Sequence, residues 1–227
     1  QLHPNSVADH DKVRGTSIAA NSAGDVVIAV KEVWNSVTYY LSNGANFNAA
    51  GPACGGSSGN GYLIHRTSDG QFKWGTICST DFGASSGTNV DIDIDSTGSH
   101  AAILGGLHSS ESRITVSYIA LNQSPVGGNS VGLEWGRYAN AGSFWGSSIG
   151  FDSLGNILVT GSYGSCGTCT FHGTAFPQKT GDTSDRDVFV FSLTTSGMLQ
   201  WVKNGGGGGH DESVISSISP ENIVMIA

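Results

Sequence analysis

A turn motif that occurs three times and begins a fourth constrains this chain more than any other feature. Asn21-Ser22-Ala23-Gly24-Asp25, Asp95-Ser96-Thr97-Gly98-Ser99 and Asp152-Ser153-Leu154-Gly155-Asn156 share an Asx residue followed three positions later by glycine. A degraded copy stands at Ser219-Pro220-Glu221-Asn222. The Asx side chain can bond back to the backbone and the glycine supplies a positive φ, so each motif is a tight turn. An alternating segment precedes each full turn: Ser17-Ile18-Ala19, Val90 to Ile94, or Ser148-Ile149-Gly150-Phe151. An apolar run follows: Val26 to Val30, Ala101 to Leu104, Ile157 to Thr160, and Ile223 to Ile226. The reading is strand, turn, strand.

A second motif completes each copy. Tyr62 to Arg66 leads through Ser68-Asp69-Gly70 to Trp74, and Asp187 to Leu193 leads through Ser196-Gly197 to Trp201. The middle copy runs from Arg113 to Leu121, takes a longer turn through Pro125 and Gly128, and reaches Leu133-Glu134-Trp135. The three tryptophans are thus spaced by 61 and 66 residues. Each unit is two hairpins, with predicted bounds at about 10–80, 81–140 and 141–209 and a partial unit at 210–227. A four-stranded unit cannot bury both faces alone and must stack on its neighbours. The predicted fold is therefore all-β: four-stranded antiparallel blades of β-propeller type, three full and a partial fourth, in one domain over 1–227. A β-sandwich built from the same strands is the alternative. Trp74, Trp135 and Trp201 are assigned to packing between blades, in equivalent and largely buried positions; a ring lining a sugar site is the other reading.

Composition agrees with this and removes several function classes. Glycine numbers 34 residues, and no helical apolar period is sustained, so helices are not expected. The ten basic residues are scattered and the net charge is −8, which excludes a phosphate-binding patch and hence a nucleic-acid partner. No apolar run is long enough to form a membrane-spanning helix.

The order of these motifs, best kept from Ser148 to Trp201, resembles the bacterial-type β-propeller repeat often called the SBBP repeat. The first copy is recognisable, the second weaker and the fourth only begun. The resemblance implies a propeller fold in a secreted or surface setting. Its motifs are structural and bring no catalytic residues.

Candidate chemistry is sparse. Asp91, Asp93 and Asp95 alternate with Ile92 and Ile94, placing three carboxylates on one strand face. The preferred reading gives Asp95 to the turn and the other two to solvent at a channel or rim; a Ca²⁺ site is the alternative. Cys54 and Cys78 flank a strand pair, and Cys166 and Cys169 form a Cys-Gly-Thr-Cys with no helix after it. Two structural disulfides are expected, with 54–78 and 166–169 one of three pairings, and they imply an oxidising, extracytoplasmic compartment. Gln1 suits a processed N-terminus. Asn122-Gln123-Ser124 fits the glycosylation pattern, weakened by Pro125. The seven histidines show no zinc spacing, and His10 and His210 are given local turn roles. The run Gly205 to Gly209 is read as a flexible crossing between units.

These features predict a non-enzymatic extracellular or cell-surface structural or adhesive module with no cofactor. It would partner proteins, or itself, through an unpaired apolar edge at Ile223 to Ile226, as a subunit of an appendage or filament. The alternative is a glycan- or calcium-binding propeller that uses Asp91 to Asp95 or the aromatics Tyr39, Tyr40, Phe144 and Trp145.

Overall fold

The computed structural model describes residues 3–4, 13–32, 38–40, 46–48, 61–70, 72–77, 91–106, 114–122, 133–141, 143–164, 169–176, 185–212, 216–218 and 224–226. These residues form an all-β structure, with no helix among them. Seven strands precede or belong to the first repeat: β1 (His3–Pro4), β2 (Val13–Ala20), β3 (Val26–Glu32), β4 (Thr38–Tyr40), β5 (Asn46–Asn48), β6 (Gly61–Arg66) and β7 (Phe72–Ile77). The second repeat gives β8 (Asp91–Ile94), β9 (His100–Gly106), β10 (Ile114–Ala120) and β11 (Leu133–Ala141). The third gives β12 (Ser143–Phe151), β13 (Ile157–Gly164), β14 (Thr170–Phe171), β15 (Thr174–Ala175), β16 (Arg186–Leu193) and β17 (Leu199–Gly205). The last hairpin is β18 (Ser216–Ile218) with β19 (Val224–Ile226).

Each repeat builds a sheet in strand order. The first is β2-β3-β6-β7, the second carries β8-β9-β10-β11, and the third is β12-β13-β16-β17. All pairs are antiparallel. The turns that open the units close as the motif requires. The Gly24, Gly98 and Gly155 amides donate to Asn21, Asp95 and Asp152 carbonyls, with φ of 85°, 71° and 83°.

The register repeats as well as the order. Straight across the first sheet run Ala19, Val27, His65 and Trp74. The second has Asp93, Ala102, Tyr118 and Trp135, and the third Gly150, Leu158, Ser192 and Trp201. A bulge interrupts the pair that carries the tryptophan in each sheet one step beyond this row, at His65/Arg66, Tyr118/Ile119 and Ser192/Leu193. Another interrupts β2 at Gly15/Ser17 and β12 at Gly146/Ser148. The three tryptophans hold equivalent backbone positions.

Sheets pack face to face, each presenting its tryptophan-row face to the next sheet. Ala19, Val27 and Ala29 of the first sheet bury against Ile92, Ile94 and Ile103 of the second. Ala102, Leu104 and Tyr118 on the opposite face of the second bury against Ile149, Val159 and Phe191 of the third. Gly146 marks a close approach, since a Cβ there would lie 2.8 Å from Leu104 Cδ2. The β18–β19 hairpin follows, with β18 against β12.

The second sheet departs from the four-stranded expectation. A short hairpin from the third repeat, β14–β15, adds to the edge of β11 through Ala139↔Phe171 and makes six strands. Its two-residue turn has φ of 47° at His172 and 81° at Gly173, the paired positive values that suit a tight hairpin. Phe171 and Phe176 then fold into the core beside Phe189 and Phe191. This short hairpin thus covers one side of the hydrophobic cluster. The glycine run also differs from a flexible crossing. Asp211 accepts the Gly207 amide at 2.9 Å, Asp185 accepts the Gly209 amide at 3.0 Å, and His210 bridges to Arg186.

Candidate functional site

β2, β8 and β12 each stand at the edge of their sheet, so their outward amides need acceptors other than a strand. β8 lies against both β2 and β12, and its alternating sequence buries Ile92 and Ile94 while turning Asp91 and Asp93 to the opposite side. Asp91 joins three sheets. Its Oδ1 accepts from Ser17 Oγ of β2 at 2.6 Å, and its Oδ2 accepts from Ser148 Oγ at 2.8 Å and the Ile149 amide at 2.9 Å. Asp93 repeats the arrangement one step along, with Oδ2 accepting the Phe151 amide and Oδ1 its neighbour Ile94, both at 2.9 Å. Asp95 sits in the turn, where Thr97 Oγ1 and the Ser99 amide donate to Oδ1.

The carboxylates expected at a solvent-facing rim therefore act as acceptors between sheets. Charge-assisted bonds of this kind are the stronger class of hydrogen bond, and they satisfy edge amides that would otherwise be stranded. Among the described residues no group of three or more His, Cys, Asp or Glu side chains is arranged to hold a metal ion.

Environment separates the two neighbours electrostatically. Burial chiefly raises the Asp93 carboxyl above its ordinary 3.8; the Phe151 and Ile94 amides oppose this, and the charges of Asp91 and Asp95 add to it. For Asp95, partial burial pushes upward but is outweighed by Thr97, the His100 and Ser99 amides and the His100 ring, leaving the carboxyl below 3.8. Linkage then gives opposite signs. Asp93 contributes stability that is present below 3.8 and lost as pH rises through its folded value. Asp95 contributes stability present above 3.8 and lost as pH falls through its folded value. Denaturant midpoints measured from neutral to acid pH should show Asp93→Asn losing ground to the wild type on acidification. Asp95→Asn should gain ground over the same range. Parallel curves for the two variants would contradict this assignment.

The interface has a second anchor at Trp135. Its ring stacks on Tyr118 at 5.5 Å, and its indole Nε1 donates to the Thr195 carbonyl of the third sheet at 2.6 Å. The ring rests over Gly197, where a Cβ would come within 2.9 Å of it, and the Arg137 guanidinium lies 5.5 Å from the ring centre. Trp201 departs from the expected burial: it is 39% exposed, and the hairpin that follows the third sheet packs its β18 against β12, at the other edge of the sheet from β17. The Trp74 side chain lies outside the described residues.

One cluster had no sequence signal. His100 lies between Asp95 Oδ2 and Glu134 Oε1, each at 3.2 Å, and stacks on Tyr118 at 4.8 Å. It ties the turn of the second sheet to β11, and burial foremost, with the charges of Asp95 and Glu134, pushes the Tyr118 hydroxyl up to about 12. Only the pairing of strands brings positions 34 residues apart together here.

The remaining expected residues are scattered. Phe144 and Trp145 lie in β12; Phe144 is buried in the core, and Trp145 sits 3.8 Å beneath Arg186. They do not form an open aromatic binding surface. Tyr39 and Tyr40 pair through β4 with Pro4 and His3, and their side chains lie outside the described residues. Cys169 is buried and disulfide-bonded; Cys54, Cys78 and Cys166 lie outside the described residues. Asn122 is exposed in the turn after β10. β19 pairs with β18, and its other edge has no strand partner among the described residues.

No protein-family model and no curated protein matches the chain.

Proposed function

We propose that the three sheets are blades of a β-propeller of the SBBP type, serving outside the cell as a non-enzymatic structural or adhesive module. The observation that carries this reading is the Asp91 junction. One carboxylate takes hydrogen bonds from the first strands of the sheets on either side, which is what convergence of innermost strands on a common axis requires. Equal register in successive sheets supports a rigid repeat platform. The chemistry on display is that of packing and bracing, and the buried disulfide at Cys169 suits an oxidising compartment. Partners would be proteins or further copies of the chain, met through edges and end faces.

A calcium titration and a glycan array, both followed by thermal melting, separate this reading from the ligand-binding alternative. The expected result is no saturable shift with either probe. A sharp saturable shift that Asp91→Asn abolishes would favour a binding propeller.

A further inference from the structure

His100 opens β9 with a carboxylate at each nitrogen of its ring. Nδ1 lies 3.2 Å from Asp95 Oδ2 of the preceding turn, and Nε2 lies 3.2 Å from Glu134 Oε1 of β11. A neutral imidazole carries one N–H and can donate to only one of these oxygens; its other nitrogen then turns a lone pair toward a carboxylate. The imidazolium donates to both, so the arrangement is complete in the charged form alone. The two partners are not held alike. Asp95 also accepts from Thr97 Oγ1 and the Ser99 amide, whereas the Glu134 side chain is 41% exposed. The other ionisable groups around the ring leave it to these two. Burial foremost, with the charges of Asp95 and Glu134, pushes the Tyr118 hydroxyl up to about 12, so it keeps its proton. Arg137 lies beyond the Trp135 ring, and Asp152 of the β12–β13 turn takes the Leu154 and Asn156 amides and Asn156 Nδ2. Asp93 of β8 is engaged by the Phe151 and Ile94 amides.

We propose that His100 is a pH-sensitive clasp, closed between the turn and β11 when its ring is protonated and released from Glu134 when the proton leaves. Glu134 directly precedes Trp135, and the rings of His100, Tyr118 and Trp135 form one stack, with successive centroids 4.8 and 5.5 Å apart. The closed clasp therefore holds the Trp135 indole to the Thr195 carbonyl of the third sheet, and the open clasp loosens it. The seam between the second and third sheets tightens as the surroundings become acid and relaxes as they become alkaline. Partly exposed ion pairs contribute little individually, so the response is graded and not all-or-none. The clasp involves these two sheets only and does not depend on the propeller reading.

Nitrogen-15 NMR of the His100 ring and hydrogen exchange of the Trp135 indole N–H test it, followed together from about pH 5 to pH 8, the range in which histidine exchanges its proton in water. At the acid end both ring N–H protons should be present, and the Trp135 indole should exchange about twofold to fivefold more slowly than in Glu134→Gln at the same pH. At the alkaline end one ring proton should remain, and the wild type and Glu134→Gln should exchange alike. Glu134→Gln keeps the length and shape of the side chain, so a merely structural contact would give no difference that grows with acidity. Comparison at equal pH also removes the contribution of Asp93, whose carboxyl burial raises. His100→Gln, which has no proton to gain, should follow Glu134→Gln. A wild type that exchanges as Glu134→Gln does at every pH, a His100→Gln that keeps the wild-type profile, or a His100 ring with a single N–H throughout would overturn the proposal.

Discussion

Replacing Phe189 by alanine should lower the unfolding free energy by about 3–5 kcal/mol, the range for a large aromatic removed from a packed core. Phe189 is fully buried in β16 and meets Phe144, Tyr163, Phe176 and Phe191 with ring centroids 5.5 to 6.3 Å apart. These partners come from β12, β13 and β16 and from the segment just after β15, so the cavity cannot close by moving one strand. On the far side, Gly161 leaves no room for compensation: a Cβ there would fall against the Trp145 carbonyl and lie 2.7 Å from Phe189 Cζ. Urea unfolding should show the loss as a lower midpoint with the slope retained. A cost below about 1 kcal/mol, the level of an ordinary surface change, would mean the cluster is not closed as described.

The second large effect is an asymmetry between equivalent tryptophans. Trp135→Ala should cost about 2–4 kcal/mol, from lost burial against the core and the lost bond to the Thr195 carbonyl. Trp201→Ala should cost about 1 kcal/mol or less. Two residues with the same position in the repeat thus differ because one faces a following turn and the other does not. Equal losses would remove the distinction and with it the account of Trp135 as an anchor between sheets.

The parts of this fold legible in sequence were those set by local rules. Asn21, Asp95 and Asp152 with their glycines marked the turns, and the strands on either side followed at the expected places. The alternation Asp91-Ile92-Asp93-Ile94 correctly put carboxylates and isoleucines on opposite sides. What faced the carboxylates depended on other repeats. Ser17 and Ser148 stand at the Asp91 position of their own units, so aligning the units shows three polar side chains in register. Their meeting follows only once the sheets are stacked. The β14–β15 hairpin escaped because two-residue strands carry almost no periodic signal; the His172-Gly173 pair was the single local cue. Its pairing with β11 is decided by Phe171 and Phe176 finding the core, a tertiary effect. Burial of Trp201 was expected from repeat equivalence alone, which does not say whether a neighbour is present to cover it.

Amide exchange at Ile149 and Phe151 tests the stacking of the sheets most directly. Both N–H groups point away from β13 and are held by Asp91 and Asp93 of the neighbouring sheet at 2.9 Å. They should exchange slowly in the wild type. Asp91→Ala should speed exchange at Ile149, and Asp93→Ala at Phe151, while amides inside the β13–β16 ladder keep their protection. Fast exchange at both positions in the wild type, or protection that survives both substitutions, would contradict a stack joined through β8.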